Sequence, residues 1–117
     1  MGIMGGKGMG LPDERLLQGV VEKIVAAVHP LRIILFGSAA RGEMGPNSDL
    51  DLLVVMPDGV HRRRTAQMLF SSLSGIGVPK DVIVVTRSDL IEYGDNPSLV
   101  IFPAMIDGKE LYRDEDR

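Results

Sequence analysis

A chain of 117 residues and 12.7 kDa, 44 % apolar and 25 % charged, has the size and composition of one domain around a single core. A net charge of −3, a pI near 5.3, 4 % aromatics and no Trp argue against a base-stacking platform or a binder of long double-stranded nucleic acid. With no Cys and only His29 and His61, disulfides, thiolate nucleophiles and Cys- or His-rich metal centres are excluded, so a bound metal would need oxygen ligands.

Residues 1–10, MGIMGGKGMG, hold five glycines and read as a flexible tail. They lack the long apolar stretch of a signal peptide, and no apolar run reaches the roughly 18 residues of a membrane span. A cytoplasmic protein is expected, with one domain over 11–112 and a charged tail over 113–117. Leu11-Pro12-Asp13-Glu14 opens a helix, with Pro early and acids in the first turn. Leu16, Leu17, Val20, Val21, Ile24, Val25 and Val28 continue it at helical spacing, and Pro30 ends it, with His29 as a helix-end residue. Leu31 to Phe36 reads as a buried strand, Gly37 to Asn47 as turns with a short helix, and Leu50 to Val55 as a second strand. Arg62 to Leu73 forms a helix with Ala66, Leu69, Phe70 and Leu73 inward, although its three leading arginines oppose the helix dipole. Val82 to Val85 is a third strand, and Ser88 is read as the cap of a short helical turn. Ser98 to Ile106 is a last helix, and Glu110 to Tyr112 a brief terminal strand. This order fits an α/β sandwich with a small central sheet.

The informative stretch is Phe36-Gly37-Ser38-Ala39-Ala40-Arg41-Gly42, followed after five residues by Ser48-Asp49-Leu50-Asp51-Leu52. Asp49 and Asp51 lie two apart at the head of a strand, so both carboxylates share a face about 7 Å apart, with Leu50, Leu52 and Val54 opposite. Two carboxylates on an apolar strand repel, and burial deepens the conflict. A divalent cation relieves it. A strand running into Gly37-Ser38 and a short helix leaves N–H groups and a hydroxyl free to cradle phosphate, with Arg41 adding positive charge. Asp81 opens the third strand in phase with Ile83 and Val85. If that strand lies beside the second, Asp81 completes the site and can take the proton of an attacking hydroxyl.

Gly37-Ser38, ten residues and Asp49-Leu50-Asp51 resemble the Gly-Ser, ten residues, Asp-x-Asp signature of the DNA-polymerase-beta-like nucleotidyltransferase superfamily. Ala40-Arg41-Gly42, and Ser48 before the first Asp, resemble its small prokaryotic members, the minimal nucleotidyltransferases. The resemblance implies the nucleotidyltransferase fold: α/β (α+β), a small central mixed sheet flanked by helices. It further implies a nucleotide site at Gly37, Ser38, Arg41 and Ser48, and Mg2+ or Mn2+ on Asp49 and Asp51, with Asp81 as the third acid by location. The implied reaction moves AMP from ATP, or a nucleoside monophosphate from another nucleoside triphosphate, to a hydroxyl. The implied acceptor is a HEPN-domain protein, for which the chain is antitoxin. Two rival readings are a non-catalytic antitoxin or assembly module acting by binding, and a small-molecule, aminoglycoside-type nucleotidyltransferase, against which the missing acceptor domain counts. Leu99 to Ile106 is apolar almost all round, which points to cover by a partner or by a second copy in a homo-oligomer.

Overall fold

Three aliphatic runs and one short charged segment assemble into one sheet. A computed structural model describes residues 14–42, 49–93 and 108–114. The chain runs through α1 (Glu14–Val28), β1 (Arg32–Phe36), α2 (Gly37–Ala40), β2 (Leu50–Met56), α3 (Arg62–Ser72), β3 (Lys80–Thr86), α4 (Arg87–Tyr93) and β4 (Lys109–Arg113). The strand order is β3-β2-β1-β4. β1 is antiparallel to β2 and β4, whereas β2 and β3 are parallel and joined through α3, as a parallel pair requires. The mixed sheet flanked by helices is the expected fold class.

β2 is buried on both faces beyond Asp51, which is why its last five residues read as an unbroken apolar run. Leu50, Leu52, Val54 and Met56 pack with Val20 and Ile24 of α1 and with Leu69 and Leu73 at the end of α3. Leu53 and Val55 face the other way, against Leu31, Ile34, Phe36 and Val85. The α1 stripe is as expected, with Val20 and Ile24 fully buried and Leu16, Leu17, Val21, Val25 and Val28 half-buried around them. The helix ends at His29, whose φ of 53° is left-handed and whose N–H donates to the Val25 carbonyl at 3.1 Å. Pro30 then blocks continuation.

Two local expectations are corrected. Phe70 does not point inward but is 42 % exposed, and Thr65 takes the buried place. The inward row runs through Thr65, Leu69 and Leu73, four residues apart, so Phe70 falls on the flank. The Thr65 hydroxyl donates to the His61 carbonyl at 3.0 Å. Ser88 does not cap α4. Its cap is Thr86, the last residue of β3, whose hydroxyl accepts from Asp89 N–H at 3.2 Å while its own N–H donates to Asp89 Oδ2 at 2.9 Å, a reciprocal capping box. β4 reaches Arg113, which therefore belongs to the sheet rather than to the tail. The tail over residues 1–10, the helix start at residues 11–13 and the helix expected over 98–106 lie outside the described residues.

Candidate active site

Strand pairing brings the sequence-predicted residues to one end of the sheet. Phe36, the last residue of β1, pairs with Asp51 of β2, and Asp51 stands in parallel register with Asp81 of β3. The condition placed on Asp81, a strand beside that of Asp51, is therefore met. Asp49 precedes β2 by one residue and is exposed, as is Asp81, whereas Asp51 is half-buried.

The chain leaves β1 at Gly37 with a φ of 73°, a left-handed conformation that disfavours any side chain. A Cβ built there would overlap the Asp51 carboxylate and lie 3.2 Å from its Cγ. Glycine is thus required twice, for the backbone turn and for the approach of the carboxylate. The sequence pattern points this glycine at phosphate, and its contact with Asp51 emerges only from the fold. The nearest signal was a glycine placed at the end of a buried strand.

From Gly37 the chain enters α2 directly. Phe36 occupies the cap position without a side-chain cap bond, so the first N–H groups of this single turn depend on other partners. Ala39 is fully buried and anchors the turn in the core, and Ser38 beside it is half-buried. The turn closes when Arg41 N–H donates to the Gly37 carbonyl at 3.2 Å.

The electrostatics show that these groups act on one another. Burial, then the charge of Asp81, then that of Asp49 push the Asp51 carboxyl above its ordinary range, and Arg41 opposes them. Gly37, Ser38, Arg41, Asp49, Asp51 and Asp81 thus share one end of the sheet, and Ser48 lies outside the described residues. Among the described residues no three His, Cys, Asp or Glu side chains form a ready metal cage. The donor chemistry still suits magnesium, which uses one or two carboxylates together with water and substrate phosphates. A cavity of about 380 Å³ lined by Leu31, Arg32, Val55, Arg87, Leu90 and Ile91 opens at the far end of β2 and contains none of these acids. No described helix is long and apolar enough to cross a membrane.

Comparison with known proteins adds a family and a fold. The family model for the nucleotidyltransferase domain matches residues 14–106. No curated protein matches the chain. Among solved structures, a candidate nucleotidyltransferase from Sulfolobus solfataricus is 22 % identical at a TM-score of 0.60, over 92 % of this chain and 95 % of that one. A toxin–antitoxin solved with AMP-PNP is 21 % identical at a TM-score of 0.59, over 86 % and 75 %. The MntA–HpeT toxin–antitoxin, in a form with two aspartates two positions apart replaced by glutamate, is 19 % identical at a TM-score of 0.58, over 86 % and 75 %. At such identities the likeness shows the fold.

Proposed function

Since the chain belongs to the nucleotidyltransferase domain family, we propose that it transfers AMP from ATP to a hydroxyl of a partner protein, a HEPN-domain toxin that the modification silences. The observation that carries this reading is the fit of Gly37 against Asp51, which sets the Gly-Ser turn beside a carboxylate already crowded by Asp49 and Asp81. The neighbours support the finer reading: one was solved with AMP-PNP, and another is a toxin–antitoxin whose altered aspartates have the spacing of Asp49 and Asp51.

Gly37, Ser38 and the N–H groups that follow would receive the anionic oxygens of the triphosphate, with the Ser38 hydroxyl donating and Arg41 contributing positive charge. Ser48, by resemblance, would hold the nucleotide beside them. Asp49, Asp51 and Asp81 would hold magnesium or manganese. When bound, that ion neutralises charge on the triphosphate and favours an ionised acceptor oxygen. Asp81, exposed at the edge of the cluster, would take the proton of the acceptor hydroxyl. The freed oxygen attacks the α-phosphorus in line, the new P–O bond forms, and pyrophosphate leaves on the opposite side with the electrons of the broken bond. The cytoplasm, where ATP and a toxin partner meet, is the expected compartment.

The test incubates the protein with ATP labelled at the α-phosphate, magnesium and a HEPN-domain protein as the proposed partner. Label should appear on that partner, and Asp49→Asn with Asp51→Asn should abolish it. An unlabelled partner alongside tight ATP binding would reject a protein acceptor. Neutralisation that survives the double substitution would establish the binding-only reading instead.

A further inference from the structure

The two edges of the sheet are built differently. An edge strand offers a row of unpaired N–H and C=O groups to any other chain, and proteins blunt such edges with charge, short length or irregular pairing. β4 is blunted: it has five residues, carries Lys109, Glu110 and Arg113, and shifts register against β1 between Ile33 and Ile34. β3 is not. It has seven residues in unbroken register with β2, and among the described residues it has no ladder partner on its other side. From Val82 to Thr86 every residue is β-branched and uncharged. Phe70 of α3, the helix that crosses from β2 to β3, is 42 % exposed.

We propose that β3 pairs antiparallel with β3 of a second copy of this chain about a twofold axis through Val84. A twofold axis normal to the sheet relates each residue to its own copy, so it must pass through a self-opposed residue. Charge selects which one. Centred on Val84, the pairing sets Ile83 opposite Val85 and Val82 opposite Thr86. It also sets Asp81 opposite Arg87, the residue following the strand, so an ion pair closes each end. Centred on Val85, it would carry Asp81 past the end of the partner strand, where α4 begins, and away from Arg87. Centred on Ile83, it would leave Asp81 against the apolar Val85. The Val84 register also brings the guanidinium of Arg87 from the other copy to the acid cluster, adding to the positive charge that Arg41 supplies within one chain. The pairing rests on the strand edge and shares Asp81 with the proposed reaction, so its test reads mass alone and needs no turnover.

Sedimentation velocity of the full chain tests it. The expected mass is twice the 12.7 kDa of one chain. Arg87→Asp should weaken the dimer about tenfold by opposing two acids at each end, and Asp81→Lys combined with Arg87→Asp should restore it. Val84→Lys, which sets two like charges on the axis, should yield monomer with an unchanged circular dichroism spectrum. A wild-type chain that stays monomeric at all concentrations overturns the proposal. So does a dimer indifferent to both Arg87→Asp and Val84→Lys.

Discussion

At Gly37 the backbone and the site make the same demand. A left-handed φ costs any side chain about 1–2 kcal/mol, and a methyl group there would also displace the Asp51 carboxylate. Gly37→Ala should therefore destabilise the protein by about 1–3 kcal/mol in urea unfolding and should weaken ATP binding measured by calorimetry; full binding by this variant would remove Gly37 from the site. Asp51 carries the opposite tension. Its folded pKa is raised by burial, Asp81 and Asp49, so ionising it costs stability as pH rises from 3.8 through the raised value. Asp51→Asn should accordingly raise the thermal midpoint at neutral pH in metal-free buffer while abolishing transfer, and the gain should vanish in acid, where the native carboxyl is protonated. A lowered midpoint at neutral pH would contradict the assigned crowding. Both residues were legible as site candidates because their spacing is local. Their contact with each other was not, since it depends on the pairing of Phe36 with Asp51.

Among the elements, α4 shows where local spacing misleads. Thr86, Ser88 and Asp89 can all cap a helix, and only the structure shows that Thr86 and Asp89 bond reciprocally while Ser88 is held from thirty residues away. Ser88 N–H and hydroxyl donate to Asp58 at 3.0 and 2.7 Å, and Arg62 of α3 donates to Asp89 at 2.7 Å. Thr86→Ala removes one half of the box and should cost about 1 kcal/mol, read from the shift in denaturant midpoint. Acid should act on the same region. The Asp58 carboxyl is lowered by the Ser88 hydroxyl, Asp89 by the Thr86 N–H, and Glu110 by Arg113, which donates to it at 2.8 and 3.0 Å. A lowered carboxyl contributes stability that is present above its unfolded pKa, here 3.8 or 4.5, and lost as pH falls through the folded value. The thermal midpoint should hold between about pH 7 and 5 and fall below about pH 4. Asp51 contributes with the opposite sign and above 3.8, so Asp51→Asn should remove its gain on the way down to about pH 4 and leave the fall below that unchanged.

For the whole molecule, β1, β2 and β3 were legible because each holds a short apolar run, and the strand order was not. No spacing in the sequence sets Leu50–Met56 parallel to Lys80–Thr86; the α3 crossover does, and with it the register that lands Asp81 beside Asp51. The site therefore depends on β2, which like β1 is sealed on both faces, more than on any surface element. Leu52 of β2 is fully buried within the cluster shared with α1 and α3. Leu52→Ala should cost about 2–5 kcal/mol through lost burial and the cavity left behind, a large part of the roughly 5–15 kcal/mol that holds a domain folded. Its thermal midpoint should drop by about 10–20 °C. Ile91, apolar but 80 % exposed on α4, is the control: Ile91→Ala should stay within about 0.5 kcal/mol of the parent. The two variants remove the same kind of surface from opposite environments, so calorimetric melting separates burial from hydrophobicity as the cause. Equal midpoints for the two would mean that β2 is not the strand on which the core, and with it the alignment of Gly37, Asp51 and Asp81, is built.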